Sequence, residues 1–372
     1  MVIGIDASRA NNAQKTGVEW YAFFLIEELK KQVPSDVQVV LYSEKPLEGK
    51  LAKLPANWSS RVLHWPPRRF WTQIRLSYEM LVRAPDVLFI PAHVFPFIHP
   101  KKTVMTVHDV AALRFPNSYN WFERWYSLWS ATYALKHLWT VIVPSEFTKN
   151  ELKALLNKNQ DHVEVVHHGF DQTLKEKKSE AQIAEILTKY NIRKPFLLSI
   201  GRIEEKKNTT TTVRAFEMLR QNYSHENLQL VLIGKPGYGS EKVEEAIHKS
   251  TFVNDIIHPG YVEPEDIFAI FQAAEALIFP SLYEGFGLPV LEAFAAGVPV
   301  VTSKNTSTKE IAGDAAVLVD PQDTKDICDA IEWLLTTAEA KQKLIAKGQL
   351  RLKDFSWEKC ARETWNILSS AT

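Results

Sequence analysis

Cysteine is scarce in this chain of 372 residues: Cys328 and Cys360 stand alone, without C-x-x-C spacing. That excludes a disulfide framework and a zinc ribbon, and the two read as reduced thiols. No H-E-x-x-H, P-loop or G-x-S-x-G occurs, so a zincin, a Walker-type nucleotidase and an α/β-hydrolase elbow are not indicated. A G-x-G-x-x-G opening a helix is also missing, which removes the usual fingerprint of a dinucleotide redox cofactor. Charge of one sign is lacking: 44 Lys and Arg balance 44 Asp and Glu, against a nucleic-acid binder or an acidic tail. No apolar run approaches the ~20 residues that span a bilayer. The opening MVIGIDASRA has no charged segment followed by an apolar one, so it does not read as a signal peptide. The expectation is a cytoplasmic protein, soluble or held peripherally at the inner face of the membrane.

What is present is ordinary globular material, 45% hydrophobic and 24% charged. At roughly 100–200 residues per domain the length suggests two domains. Short β-branched runs at 2–5, 37–41, 87–90, 104–107, 140–143 and 163–166 read as buried strands. Helical patterns at 20–31, 121–138 and 147–156 lie between them. A polar, lysine-rich stretch interrupts the alternation, with a capping box that starts a helix at Ser179 and Gln182. Strands then resume at 196–200, 228–233, 255–259, 276–279, 298–302 and 316–319, with helices at 210–221, 242–249, 263–274, 289–295 and 325–335. Apolar strands with helical crossovers predict parallel sheets. The fold class is therefore α/β: two doubly wound, Rossmann-like domains facing a central cleft, with ligands at the carboxyl ends of the strands. The boundaries are 1–172 for the first domain, 173–194 for a linker and 195–356 for the second. A last helix over 357–372 carries aromatics on more than one face and is expected to pack across a domain boundary.

Four segments carry candidate chemistry. In Phe279-Pro-Ser-Leu-Tyr-Glu-Gly-Phe-Gly-Leu-Pro-Val-Leu-Glu292 a strand ends in a glycine loop and a helix begins, with Pro289 suited to its first turn. The N–H groups of Gly287 and Leu288 would form an anion site at that helix N-terminus. Glu284 and Glu292, eight apart, bracket it; equally, the unit is a plain strand–turn–helix in which Glu292 favours the helix dipole. In Ser199-Ile-Gly-Arg-Ile-Glu-Glu-Lys-Lys-Asn208 the chain turns at Gly201, and Arg202 and Lys207 follow. A guanidinium fork and an ammonium suit a pyrophosphate, although Glu204 and Glu205 also fit a solvated charged loop. His108 follows a buried strand in Met105-Thr-Val-His-Asp-Val-Ala-Ala-Leu-Arg-Phe-Pro116, where a lone His is either structural or faces the cleft. Gly17 in Thr16-Gly-Val-Glu-Trp-Tyr21 opens the first helix, where phosphate or an acceptor can meet backbone N–H groups. Ser145 serves as a helix N-cap or a ligand contact. His167 and His168 are adjacent on a strand end and point to opposite faces, so they do not chelate one metal.

These segments resemble the family-4-type glycosyltransferases of the GT-B fold, mannosyltransferase-like members in particular. The glutamate pair with its surrounding Gly and Pro matches the E-x7-E signature, and Gly201-Arg202…Lys207 matches G-R-x4-K. The H-D-x-x-x-L-R-F-P run matches the mannosyltransferase-like members. The resemblance covers nearly the whole chain and is looser in the N-terminal half.

The resemblance implies a retaining hexosyltransferase. Glu284 would contact donor-sugar hydroxyls and Glu292 the ribose. Phe286, Gly287 and Leu288 would offer backbone N–H groups to the sugar and diphosphate. Arg202 and Lys207 would stabilise the leaving diphosphate. His108 would orient the donor sugar without acting as a general base, supported by Asp109, with Gly17 nearby. Gly234 and Lys235 would lie under the nucleotide, and Tyr261 and Val262 in the turn that meets the base. The C-terminal helix would cross back to the first domain. A D-x-D clasp is absent, so donor binding without metal and without a resident cofactor is expected. Favoured is transfer from GDP-mannose to a hydroxyl of a glycan or lipid-linked acceptor, in cell-surface polysaccharide or glycoconjugate synthesis. A UDP-sugar-dependent transferase of the same fold and a non-catalytic nucleotide-sugar-binding protein are the alternatives.

The charge balance is uneven. Residues 51–139 hold eleven Lys and Arg against four Asp and Glu, together with seven of the eleven Trp. The Trp65-Pro-Pro-Arg-Arg-Phe-Trp71 stretch, with Arg75, Arg83 and the helix near 121–129, suits docking on an anionic membrane surface; acceptor-cleft lining or core aromatics suit the same composition. No nucleic-acid partner is expected.

Overall fold

The computed structural model describes residues 1–66, 69–156 and 161–371. Pro67 and Arg68 of the basic tryptophan-rich stretch lie outside the described residues. The chain divides into two compact units: unit 1 comprises Met1–Pro116, Asn120–Gly169 and Phe355–Thr372, and unit 2 comprises Asn117–Tyr119 and Phe170–Asp354.

Among the described residues of unit 1, seven strands form one sheet: β1 (Val2–Asp6), β2 (Gln38–Ser43), β3 (Trp58–Val62), β4 (Val87–Ile90), β5 (Thr103–Thr106), β6 (Thr140–Val143) and β7 (Val163–Val165). Their order is β3-β2-β1-β4-β5-β6-β7, and every pairing is parallel. Every residue of β4, β5 and β6 is buried, as a parallel sheet covered on both faces requires. β3 was not expected. Its sequence W-S-S-R-V exposes Ser59 and Ser60, and such a polar edge strand carries no apolar run to betray it. The helix Ser77–Arg83 was also missed; it continues a π-helical turn over Trp71–Leu76.

The last helix, Trp357–Ser370, is capped by Ser356, whose side chain accepts from Lys359 N–H. It buries Trp357, Cys360, Ala361, Thr364 and Leu368, a single stripe at helical spacing. That stripe joins the core of unit 1 with Tyr21, Leu25 and Leu29 from the helix Gly17–Gln32. Its aromatics therefore serve one core, with Trp357 stacked on Phe24 at a centroid separation of 5.4 Å. Gly169 makes this packing possible, since a Cβ there would lie 2.1 Å from the Trp357 nitrogen.

Unit 2 has β8 (Phe196–Ile200), β9 (Gln229–Ile233), β10 (Ile256–Gly260), β11 (Ala276–Phe279), β12 (Val300–Ser303) and β13 (Val317–Val319), ordered β10-β9-β8-β11-β12-β13. All pairs are again parallel. Residues 173–194, expected as a linker, are part of this unit instead. The capping box at Ser179 and Gln182 forms and starts the helix Glu180–Lys189. That helix is tied to the helix Pro264–Ala273: Lys189 Nζ and Tyr190 Oη both donate to Asp266 Oδ2, at 2.7 and 2.8 Å. Only Leu187 of the helix is buried, so its composition reads as a spacer. The helix Ala338–Arg351 has no sequence signal for the same reason, burying only Gly348.

In each sheet the strand order reverses once, between β1 and β4 and between β8 and β11. Loops leaving the carboxyl ends of two such neighbours diverge and leave a crevice, the usual ligand position in open α/β sheets.

Candidate functional site

The loops after β8 and β11 hold Gly201, Arg202, Lys207, Glu284, Phe286 and Gly287. β8 ends at Ile200, and Gly201 turns the chain with φ +139°. Gly234, at the end of β9, has φ +158°, and a Cβ there would lie 1.9 Å from the Gly201 carbonyl oxygen. Only glycine permits that approach. Ile203 N–H donates to Lys235 O at 3.0 Å, and Gly237 N–H donates to Ile203 O at 2.8 Å, which fastens the two loops together. A single 3-10 turn over Glu205–Lys207 follows.

Asn208 closes that turn in the left-handed region, with φ +61°. Its side-chain amide is buried and donates to Pro280 O at 3.0 Å and Pro321 O at 2.6 Å. Lys206 O accepts from Leu282 N–H at 2.8 Å. The loop after β8 is thereby locked against the loop after β11. Asn208 was not among the predicted site residues. The available signal was an Asn immediately before a helical run of threonines, where αL geometry is tolerated.

This lock sets Lys207 beside Glu284. The ammonium and the carboxylate form an ion pair, with the Phe279 ring 5.4 Å below the ammonium. Ser281 Oγ donates to the same carboxylate at 3.2 Å, and Ser307 Oγ donates to the Glu284 carbonyl at 2.8 Å. Ser307 is fully buried and was also missed, because it belongs to the unexpected helix Ser307–Ala312. Arg202 differs from Lys207. It is exposed, and no hydrogen bond or ion pair joins its side chain to another described residue.

The helix Leu288–Ala296 starts where expected. Gly287 is its N-cap, in the left-handed region at φ +99°, and a proline sits in the first turn. A Cβ on Gly287 would lie 2.8 Å from Thr308 Cγ2, so Thr308 and the backbone requirement both select glycine. The N–H groups of Gly287 and Leu288 have no acceptor among the described residues, which leaves positive helix-end dipole available. Phe286 is buried. Glu292 lies farther along the same helix. Loss of solvation pushes its carboxyl up to about 7, and the nearby Asp171 carboxylate adds to the rise. Although part of its surface is accessible, dense protein around the carboxyl explains the shift.

Beside these loops Lys235 Nζ sits 4.8 Å over the ring of Tyr261. The ring is exposed and Val262 is buried beneath the turn. An exposed aromatic face with a cation beside it suits a planar, anionic ligand.

The remaining predicted residues belong to unit 1. His108 is buried, and burial pushes its imidazole down to about 4. Nε2 lies 3.2 Å from Pro91 O. A carbonyl only accepts, so Nε2 carries the proton and Nδ1 is left as an acceptor. Tyr21 meets this ring edge-on at 4.7 Å. The Asp109 carboxylate accepts from Ala111 N–H at 3.0 Å and acts on His108 through its charge. Gly17 is the first residue of its helix, and Thr16 and Glu19 make a reciprocal capping box in front of it. A Cβ on Gly17 would meet nothing within 4 Å, so packing does not demand glycine there. Ser145 bonds to Thr148 N–H at 3.1 Å, the geometry of a cap.

Among the described residues no group of three His, Cys, Asp or Glu side chains converges as metal ligands would, and no helix is long and apolar enough to cross a membrane.

Two family models match consecutive parts of the chain: Glycosyltransferase Family 4 over residues 15–174 and Glycosyl transferases group 1 over residues 185–351. The chain belongs to the family-4-type glycosyltransferases of the GT-B fold. It is similar to O-antigen chain mannosyltransferase B of Escherichia coli, 29% identical over 307 residues that cover 82% of this chain and 78% of that one. Among solved structures it resembles sucrose-phosphate synthase from Thermosynechococcus elongatus, with a TM-score of 0.77 at 18% identity over 100% of both chains. Anabaena HepE in complex with UDP-glucose gives a TM-score of 0.75 at 15% identity over 99% of each chain.

Proposed function

We propose that the enzyme transfers a hexose from a nucleoside-diphosphate sugar to a hydroxyl of a glycan or lipid-linked acceptor, with retention at the anomeric carbon. The observation that carries the reading is the arrangement in unit 2. An unpaired Arg202, the Lys207–Glu284 pair and the free N–H groups of Gly287 and Leu288 all belong to loops leaving β8 and β11. That set offers positive charge to a diphosphate and a carboxylate to sugar hydroxyls. In this reading Arg202, Lys207 and the helix N-terminus stabilise charge growing on the leaving phosphate. Stabilisers already in place at developing charge supply the largest catalytic contribution in many enzymes. The acceptor O–H attacks the anomeric carbon, the bond from that carbon to the phosphate oxygen breaks, and a donor phosphate oxygen takes the proton. The products are the glycoside and the nucleoside diphosphate. Cations and backbone dipoles do the work a metal does elsewhere, so no divalent ion is required.

Glu292 is assigned to the ribose, Glu284 and Phe286 to the sugar, and Gly234, Lys235, Tyr261 and Val262 to the nucleotide. The roles of Gly17, His108 and Asp109 rest on the resemblance, and assay of their variants tests them. GDP-mannose is the favoured donor, supported by the H-D-x-x-x-L-R-F-P run and by the mannosyltransferase of Escherichia coli. A UDP-sugar is the second reading, supported by the fold's likeness to HepE in complex with UDP-glucose. Acceptors in cell-surface polysaccharide synthesis fit the O-antigen relative.

A thermal-shift panel of GDP, UDP, ADP and their sugars without metal tests the reading. A ligand at 100 times its Kd stabilises by about 2.7 kcal/mol. A shift with GDP and GDP-mannose that Glu292→Ala abolishes is expected. A shift with UDP-sugars alone selects the second reading, and none with any nucleotide rejects both. Slow donor hydrolysis separates an enzyme from a protein that only binds.

A further inference from the structure

Unit 1 exposes large apolar side chains on several neighbouring segments. On the helix Trp121–His137, Trp121 is 79% exposed and Trp125 53%. Phe122 and Leu128 on the same helix are also exposed. Phe122 meets the exposed Phe70 at a ring separation of 6.4 Å. Trp125 stacks on Trp129 at 6.1 Å, and Trp129 meets the exposed Phe97 at 5.8 Å. Ile98, next in sequence and also exposed, donates its N–H to Ser77 Oγ at 3.2 Å. Tyr78, Leu81 and Val82, on the helix that Ser77 opens, are 59%, 66% and 54% exposed. A groove of about 290 Å³ runs between Trp125, Trp129, Tyr133 and Lys136 along the longer helix.

The charges on these elements are almost all of one sign. Arg69, Arg83, Arg124 and Lys136 are exposed, and none forms an ion pair with a described residue. Both carboxylates of the two helices have local partners, although Glu123 stays exposed. Glu79 is buried and holds both Arg61 and Arg75, at 2.7 and 3.2 Å. Glu123 accepts from Asn120 N–H in a capping box. Tryptophan and tyrosine beside arginine and lysine, on exposed helix faces, suit the boundary between lipid headgroups and acyl chains. A second copy of the chain would bring the same unpaired cations together, whereas an anionic surface neutralises them.

We infer that this face of unit 1 docks the enzyme on an anionic lipid surface, with Trp121, Trp125, Leu81 and Phe97 entering the headgroup boundary and Arg69, Arg83, Arg124 and Lys136 meeting lipid phosphate. The inference deepens the proposed function by committing it to acceptors presented at a membrane, yet the docking itself needs no donor and no turnover.

The test is co-sedimentation of the full chain with vesicles of phosphatidylcholine alone and of phosphatidylcholine with one third phosphatidylglycerol. Binding only to the anionic vesicles, weakening as salt screens the cations, is expected. Arg83→Glu with Arg124→Glu should weaken it by roughly thirty-fold or more, at about one lipid-binding increment per cation removed. Trp121→Ala with Trp125→Ala should weaken it by about tenfold or more without changing its salt dependence. All four positions are exposed, and nucleotide thermal shifts unchanged in these variants verify the fold and keep this test separate from that of the donor site. No binding by the parent chain, or binding that both double variants retain, overturns the inference. So does a dimer in solution that Trp125→Ala dissolves, which would assign the face to a second copy.

Discussion

Lys207 and Glu284, on loops that follow neighbouring parallel strands, form an ion pair that Ser281 and a buried network around Asn208 and Ser307 hold in position. Their side chains are 19% and 12% exposed. In such surroundings one charge stripped of its partner is costlier than the loss of both. Lys207→Met and Glu284→Gln should each lower stability by about 1–3 kcal/mol, and the double variant by less than the sum. Urea melts of the four proteins measure this. Additive losses would show that the pair is not coupled. Turnover should fall about 100-fold in Lys207→Met if the ammonium serves the leaving phosphate.

Arg202 offers the contrasting case. Its exposed guanidinium has no partner to lose among the described residues, so Arg202→Ala should change stability by less than about 0.5 kcal/mol while lowering kcat by about 100-fold or more. Arg202→Lys restores charge but not the bidentate fork and should recover only part of the loss. An unchanged kcat in Arg202→Ala removes Arg202 from the leaving-group role.

Glu292 makes stability and nucleotide binding depend on pH in opposite ways. Its carboxyl is held at about 7 in the fold against an ordinary value of 4.5. The folded chain thus binds this proton more tightly than the unfolded one. The associated stability is fully present below about 4.5 and is lost as pH rises through about 7. Glu292→Gln keeps the neutral form at every pH. It should match the parent near pH 4.5 and exceed it above pH 8 by up to about 3 kcal/mol. A carboxylate that accepts from ribose hydroxyls must be ionised, so nucleotide affinity should fall about tenfold per pH unit below 7. Tm and Kd measured from pH 5 to 8.5 check both limbs, and parallel curves for parent and variant would remove Glu292 from either effect.

Two glycines separate backbone necessity from access. Gly234→Ala puts a Cβ 1.9 Å from the Gly201 carbonyl oxygen, so the ends of β8 and β9 must part and stability should drop by about 3 kcal/mol or more. Gly17→Ala meets open space and should leave Tm unchanged or slightly raised. If Gly17 serves the approach of substrate, the same variant loses kcat/KM by about tenfold or more while folding normally. Full activity in Gly17→Ala would assign the glycine no role in catalysis.

Much of this was legible in the sequence because parallel sheets write themselves as short apolar runs and because the donor-side loops require particular residues. Gly287 is required by its backbone angle and by Thr308, and Gly234 by the Gly201 carbonyl. What escaped was structure whose signal is weak or lies far along the chain. β3 is polar because it is an edge strand. The helix Ala338–Arg351 buries one residue and has no buried stripe to announce it; the helix Glu180–Lys189 is announced by its capping box, but because it too buries one residue its composition reads as a linker. Asn208 holds Pro280 and Pro321, 72 and 113 positions away, and no local pattern announces such a contact. The Lys207–Glu284 pair is likewise invisible in the sequence: its members stand 77 positions apart, and each side chain by itself suits a ligand.

His108 separates orientation from proton transfer. Burial holds the imidazole neutral, at about 4, and the Pro91 carbonyl fixes the proton on Nε2. A general base working near neutral pH would instead sit close to 7 and give kcat a limb there. The expected kcat profile is therefore flat between about pH 5.5 and 8 with respect to this residue, while nucleotide affinity still falls at low pH through Glu292. Nitrogen chemical shifts of the imidazole should report the Nε2–H tautomer across the same range. His108→Gln should reduce kcat without introducing or removing a pH limb. A limb near pH 6.5 in the parent that disappears in His108→Gln would make the histidine a proton carrier and overturn the orienting role.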